Sequence, residues 1–146
     1  MKTIAIIDLN RTLFDPETNA EVEGATEILA ALNVAGVELH LVSKKEPGRE
    51  RIVEELGFRD FFASVSFVAE KTPELFEGIM REANGEPART YVVGDYLPQE
   101  ICAGNKCGMK TIWLRRGRFG DMGPQKDDEV PWREISKLEE LQNLIA

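Results

Sequence analysis

Apolar positions along this chain gather in short runs separated by stretches with helical periodicity. The runs cover residues 3 to 8, 37 to 42, 64 to 69, 90 to 94 and 110 to 114, and they are rich in Ile and Val. Short, mostly apolar runs of this kind predict strands buried on both faces. Between them the spacing predicts helices. One spans Ala25 to Ala35, with Ile28, Leu29 and Leu32 on one face and Gly36 as its stop. A second starts at Pro47, carries Ile52, Val53 and Leu56, and stops at Gly57. A third has Thr72 as N-cap and Pro73 in its first turn, with Leu75, Phe76, Ile79 and Met80 facing inward. A fourth runs from Pro98 to Gly108, and a last one opens with a capping box, Ser136 with Glu139. Such alternation predicts a three-layer α/β/α Rossmann-like fold with a parallel sheet of about five strands. Residues 1–146 are expected to form one core domain, and a small flap fits between Phe14 and Val22.

Two of the runs end in a carboxylate, at Asp8 and Asp95. Right-handed crossovers bring the carboxyl ends of parallel strands to one rim, where open α/β sheets bind ligands. Asp8, Ser43, the Lys71 region and Asp95 are therefore expected together, and two carboxylates delivered there suit a divalent cation.

Composition narrows the classes. The net charge is −8 and the basic residues are scattered, so nucleic acid is not indicated as a partner. No run approaches the length of a membrane span, and the chain reads as cytoplasmic, with Cys102 and Cys107 reduced and buried as small core residues. His40, mid-strand, reads as a satisfied core residue, and Trp113 and Trp132 as core or interface residues. Arg115, Arg116 and Arg118 follow the fifth strand as a basic run, read first as a solvated loop and second as a grip on an anionic substrate. The segment 117–132 is long and irregular for a connection.

Four motifs in order resemble the haloacid-dehalogenase-like (HAD) superfamily of hydrolases. They are IAIIDLNRTL with Asp8, VELHLVS with Ser43, EKTPELF with Lys71, and VVGDYLPQE with Asp95 and Glu100. The resemblance implies a Mg²⁺-dependent phosphohydrolase. Asp8 would attack phosphorus and form an aspartyl-phosphate. Mg²⁺ would be held by Asp8, the Asn10 carbonyl and Asp95. Lys71 would supply positive charge, and Ser43 with the backbone N–H groups of Leu9 and Asn10 would contact the phosphoryl oxygens. Glu100 would act behind them, orienting water or Lys71.

The chain departs from the family pattern at Asn10, where phosphatases of the family carry Asp as general acid/base, and at Arg11, where the pattern has Gly. An amide cannot take or give the proton, so turnover is expected to be slow, and phosphates with good leaving groups should be favoured. The alternative reading is a catalytically impaired phosphate- and metal-binding or regulatory protein. The gaps between Asp8, Ser43 and Lys71 leave no room for a large cap, so the chain resembles the capless class. Its open site is expected to admit a macromolecular phosphorylated substrate or to be closed by a second copy.

Overall fold

The computed structural model describes residues 2–145, with the side chain of Arg118 outside the described part. A parallel sheet of six strands forms the middle layer. In chain order its strands are β1 (Ile4–Asp8), β4 (Glu38–Lys44), β5 (Ser64–Val68), β6 (Thr90–Gly94), β7 (Lys110–Leu114) and β8 (Arg133–Ile135). The spatial order is β5-β4-β1-β6-β7-β8. The order reverses at β1, so the crevice at its carboxyl end lies between β4 and β6.

The central strands are legible as apolar runs because both faces are covered. Ile4, Ala5, Ile6 and Ile7 are all buried and alternate between two core faces. On one face Ala5 and Ile7 join Ile28, Leu29 and Leu32 of α1 (Ala25–Val34) and Leu138 and Leu141 near the C-terminus. On the other, Ile4 and Ile6 join Phe76 and Met80 of α3 (Pro73–Glu82) and Ala103 of α4 (Cys102–Lys106).

Some elements differ from the sequence expectation. The sheet gains β8, whose Ile135 is buried while Arg133 and Glu134 are exposed. An edge strand of three residues shows no apolar run. The second helix, α2 (Arg49–Glu55), begins after Gly48 and not at Pro47, since Gly48 takes a left-handed φ of 86°. Only Val53 on it is buried, with Ile52 and Leu56 packing partly against the core. Leu75 and Ile79 of α3 are likewise only partly buried. The fourth helical stretch opens as a π-turn, Leu97–Ile101, before becoming α-helical. The last capping box sits one residue on. Glu140, not Glu139, accepts the backbone N–H groups of Ser136 and Lys137 and the Ser136 hydroxyl, ahead of a 3₁₀ turn and α5 (Leu141–Leu144). Cys102 and Cys107 are free as expected, but half-buried and not fully enclosed.

The flap is a two-stranded hairpin, β2 (Phe14–Asp15) with β3 (Ala20–Glu21). No large insertion interrupts the chain between Asp8 and Lys71. The segment 117–132 is pinned at its far end, where the Asn105 side-chain amide donates to the carbonyls of Asp128 and Val130 and the Trp132 N–H donates to Thr111. His40 is buried and satisfied by Ser64 and Glu38. No helix among the described residues is long and apolar enough to cross a membrane.

Candidate functional site

Asp8 is the last residue of β1 and lies in the crevice where the strand order reverses. One of its oxygens accepts the Thr12 hydroxyl at 3.2 Å, and the other accepts the Lys71 ammonium. Asp95, just past β6, enters the same space, and its backbone carbonyl is anchored by the Trp113 indole N–H at 3.0 Å. Glu100 reaches back from the π-turn. Its two oxygens accept Lys71 Nζ at 3.2 Å and the Tyr96 N–H at 3.0 Å. That position exists because residue 94 is glycine: a Cβ there would come within 2.3 Å of the Glu100 carboxylate.

Three buried carboxylates, from Asp8, Asp95 and Glu100, thus offer oxygens within 4.8 Å of one another, with Lys71 as the cation among them. The electrostatics follow. Burial, joined by the nearby charges of Asp8 and Glu100, raises the Asp95 carboxyl to about 8 against the pull of Lys71. Burial also raises Glu100, against the attraction of Lys71. Burial alone would lower Lys71, but the Asp8 and Glu100 charges outweigh it and hold the ammonium protonated.

The donor set fits a hard divalent cation. All three groups are oxygen donors, and Asp95 Oδ2 is buried with no hydrogen-bond partner. A buried lone acceptor beside two other carboxylates is costly unless a proton or a cation meets it. Both oxygens of Glu100 are already engaged, which sets it apart from Asp95 as the acid that holds Lys71 and Tyr96 in place.

The cleft is about 400 Å³ and is lined by Asp8, Asn10, Lys71, Asp95 and Glu100, all read from the sequence. It is also lined by Arg11, Lys44, Arg49, Tyr96 and Phe119. The sequence carried no signal for Arg49, Tyr96 or Phe119, which come from loops and helix starts. Arg49 donates to the Ser43 hydroxyl at 3.2 Å and pairs with Glu46 at 2.8 Å. Ser43 itself is fully buried behind Arg49, and its hydroxyl donates to the Lys44 carbonyl. Leu9 is buried, and its carbonyl accepts the N–H groups of Thr12, Leu13 and Phe14, closing the loop after Asp8. Arg11 occupies that loop with a left-handed φ of 64°, the conformation for which glycine is the usual choice.

The basic run is mostly spent within the fold. Arg115 donates to the Gly120 carbonyl and lies over the Trp113 ring, and Arg116 pairs with Asp15 of the flap at 3.5 Å. Trp132 is partly buried between Lys110 and Arg133.

A model of the haloacid dehalogenase-like hydrolases matches residues 2–108. The chain is similar to the glyceraldehyde 3-phosphate phosphatase of Methanopyrus kandleri, 35% identical over 95 residues, 62% of this chain and 41% of that protein. It is also 28% identical over 132 residues to the glyceraldehyde 3-phosphate phosphatase of Pyrococcus abyssi, 86% of this chain and 55% of that protein. The chain spans about half the length of the curated relatives it matches. Among solved structures, the D,D-heptose 1.7-bisphosphate phosphatase of B. bronchiseptica, complexed with magnesium and phosphate, superposes with a TM-score of 0.79. That likeness covers 99% of this chain and 97% of the other at 14% identity, and is one of fold.

Proposed function

The chain belongs to the haloacid dehalogenase-like hydrolases, and on that premise we propose that it is a Mg²⁺-dependent phosphohydrolase acting through an aspartyl-phosphate on Asp8. The observation that carries the reading is the unpartnered Asp95 Oδ2 in a buried cluster with Asp8, Glu100 and Lys71. The named phosphatases among its relatives support it. Residues 1–146 are read as one capless core.

Each group has a task. Asp8 attacks phosphorus in line, and the bond from phosphorus to the leaving oxygen breaks as the bond to the carboxylate forms. Lys71 and Arg49 face the phosphoryl group with positive charge, and the backbone N–H groups of Leu9 and Asn10 donate to its oxygens. Ser43 positions Arg49. Glu100 keeps Lys71 in place. Mg²⁺, held by Asp8, Asp95 and the Asn10 carbonyl, would neutralise charge on the phosphoryl oxygens. Water then attacks the aspartyl-phosphate and releases inorganic phosphate.

Asn10 contributes no proton to either half of this sequence. A second reading, a phosphate- and metal-binding protein without useful turnover, draws on that residue. A phosphatase assay decides between them. The wild type should hydrolyse acetyl phosphate with Mg²⁺ and lose that activity in EDTA and in Asp8→Asn. Asn10→Asp should raise turnover of alkyl phosphates by up to the ~10²–10⁴-fold of general acid/base catalysis. Absence of Asp8-dependent turnover in both the wild type and Asn10→Asp would leave the binding reading.

A further inference from the structure

One wall of the cleft is aromatic. Tyr96, just past β6, and Phe119, from the turn Gly117–Phe119, have ring centroids 4.7 Å apart at an angle of 46°. Both rings are half-buried, both line the cleft that holds Asp8 and Lys71, and neither belongs to the hydrophobic core on either face of the sheet. The Arg11 guanidinium lies 5.8 Å from the Phe119 centroid. It is steadied there by Glu17 at 3.3 Å, with only 15% of its side chain exposed. Arg11 adjoins Asn10 in sequence and holds its left-handed backbone to do so. The cleft that Asn10 lines, where a proton donor is missing, thus also holds a fixed cation and a pair of aromatic rings.

Resting on the phosphohydrolase reading, we propose that the substrate is an aryl phosphate whose ring packs against Phe119 and Tyr96 and whose phenolic oxygen leaves beside Arg11. When the Asp8 oxygen bonds to phosphorus, the P–O bond to the ring oxygen breaks and its electron pair stays on that oxygen. Phenols ionise near pH ~10, whereas an alkanol resembles water, near ~16. Phenolate departs without a protein acid and takes its proton from solvent afterwards; an alkoxide does not. The Arg11 cation faces the charge as it develops, in a cleft where fixed charge acts more strongly than in water. Aromatic packing and the cation beside it hold the leaving group before and during the step. In the second half, water attacks phosphorus, Asp8 leaves as a carboxylate, and the proton goes to solvent. Asn10 and the aromatic wall are separate features, and both select the same leaving group.

The test compares kcat/KM for phenyl phosphate, cyclohexyl phosphate and acetyl phosphate on the Mg²⁺-loaded wild type. Phenyl phosphate should exceed cyclohexyl phosphate, which is of similar size, by at least about 10²-fold, the lower range for a missing general acid. Phe119→Ala should lower the phenyl-to-acetyl ratio about three- to tenfold, the range for one aromatic contact, and Phe119→Tyr should restore it. Using a ratio removes any loss of folded protein from the comparison. Equal rates on phenyl and cyclohexyl phosphate, or an unchanged ratio in Phe119→Ala, would overturn the aryl assignment while Asp8-dependent acetyl phosphate turnover left the phosphohydrolase reading standing. No Asp8-dependent turnover of any of the three would overturn both.

Discussion

Asp95→Asn isolates the electrostatic strain at the centre of the cleft. In the metal-free protein the Asp95 carboxyl sits at about 8, against 3.8 for an ordinary aspartate, because it is buried and faces Asp8 and Glu100. A carboxyl whose folded value is raised binds its proton more tightly in the folded state. Its contribution to stability is complete below the unfolded value and is lost as pH rises through the folded one. Metal-free wild type should therefore lose stability progressively between pH 3.8 and about 8, and in the upper part of that window the loss lies above the range of ordinary carboxylates. One proton changes stability by at most about 1.4 kcal/mol per pH unit. For a domain of this size that is roughly 3–5 °C in Tm per pH unit. Asparagine has no proton to lose, so the variant should show a flatter profile and exceed the wild type at pH 8. Saturating Mg²⁺ should reverse the order, stabilising the wild type most at high pH, where Asp95 is ionised. Thermal melts in EDTA and in Mg²⁺ across that range measure all of this. If Asp95→Asn kept the wild-type slope in EDTA, the buried unpartnered carboxyl would not be the group that titrates, and the metal argument would lose its footing.

Two further substitutions probe the same cluster. Lys71→Met should leave Asp8 and Glu100 buried without their shared cation, costing about 3–5 kcal/mol, or roughly 6–20 °C in Tm, with much of the loss recovered in Mg²⁺; a Tm within a degree of wild type in EDTA would contradict the buried pairing. Gly94→Ala places a Cβ within 2.3 Å of the Glu100 carboxylate, so melts should show a loss of about 1–3 kcal/mol, and calorimetry should show weaker Mg²⁺ binding as Glu100 releases Lys71; a neutral result would mean that Glu100 can move aside freely.

The layered fold and the carboxylates of its rim are legible in the order of the amino acids. Strands covered on both faces are mostly apolar, so β1 and β6 stand out as short apolar runs, and a charge at the end of such a run is conspicuous. Asp8 and Asp95 stand out for that reason, and the motifs around them added Asn10, Ser43, Lys71 and Glu100. The strand β8 left no such trace, because an edge strand of three residues with one buried side chain has no periodicity to read. The shift of the cap from Glu139 to Glu140 lies below what spacing can resolve, since adjacent glutamates compete and the preceding turn decides. Arg49, Tyr96 and Phe119 belong to tertiary structure alone. They reach the cleft from three connections far apart in the chain, and no local pattern marks a loop residue that will face a site. The proton state of Asp95 is of the same kind. Its type and position are in the sequence, but its affinity for a proton comes from the carboxylates folded against it and the water folded away.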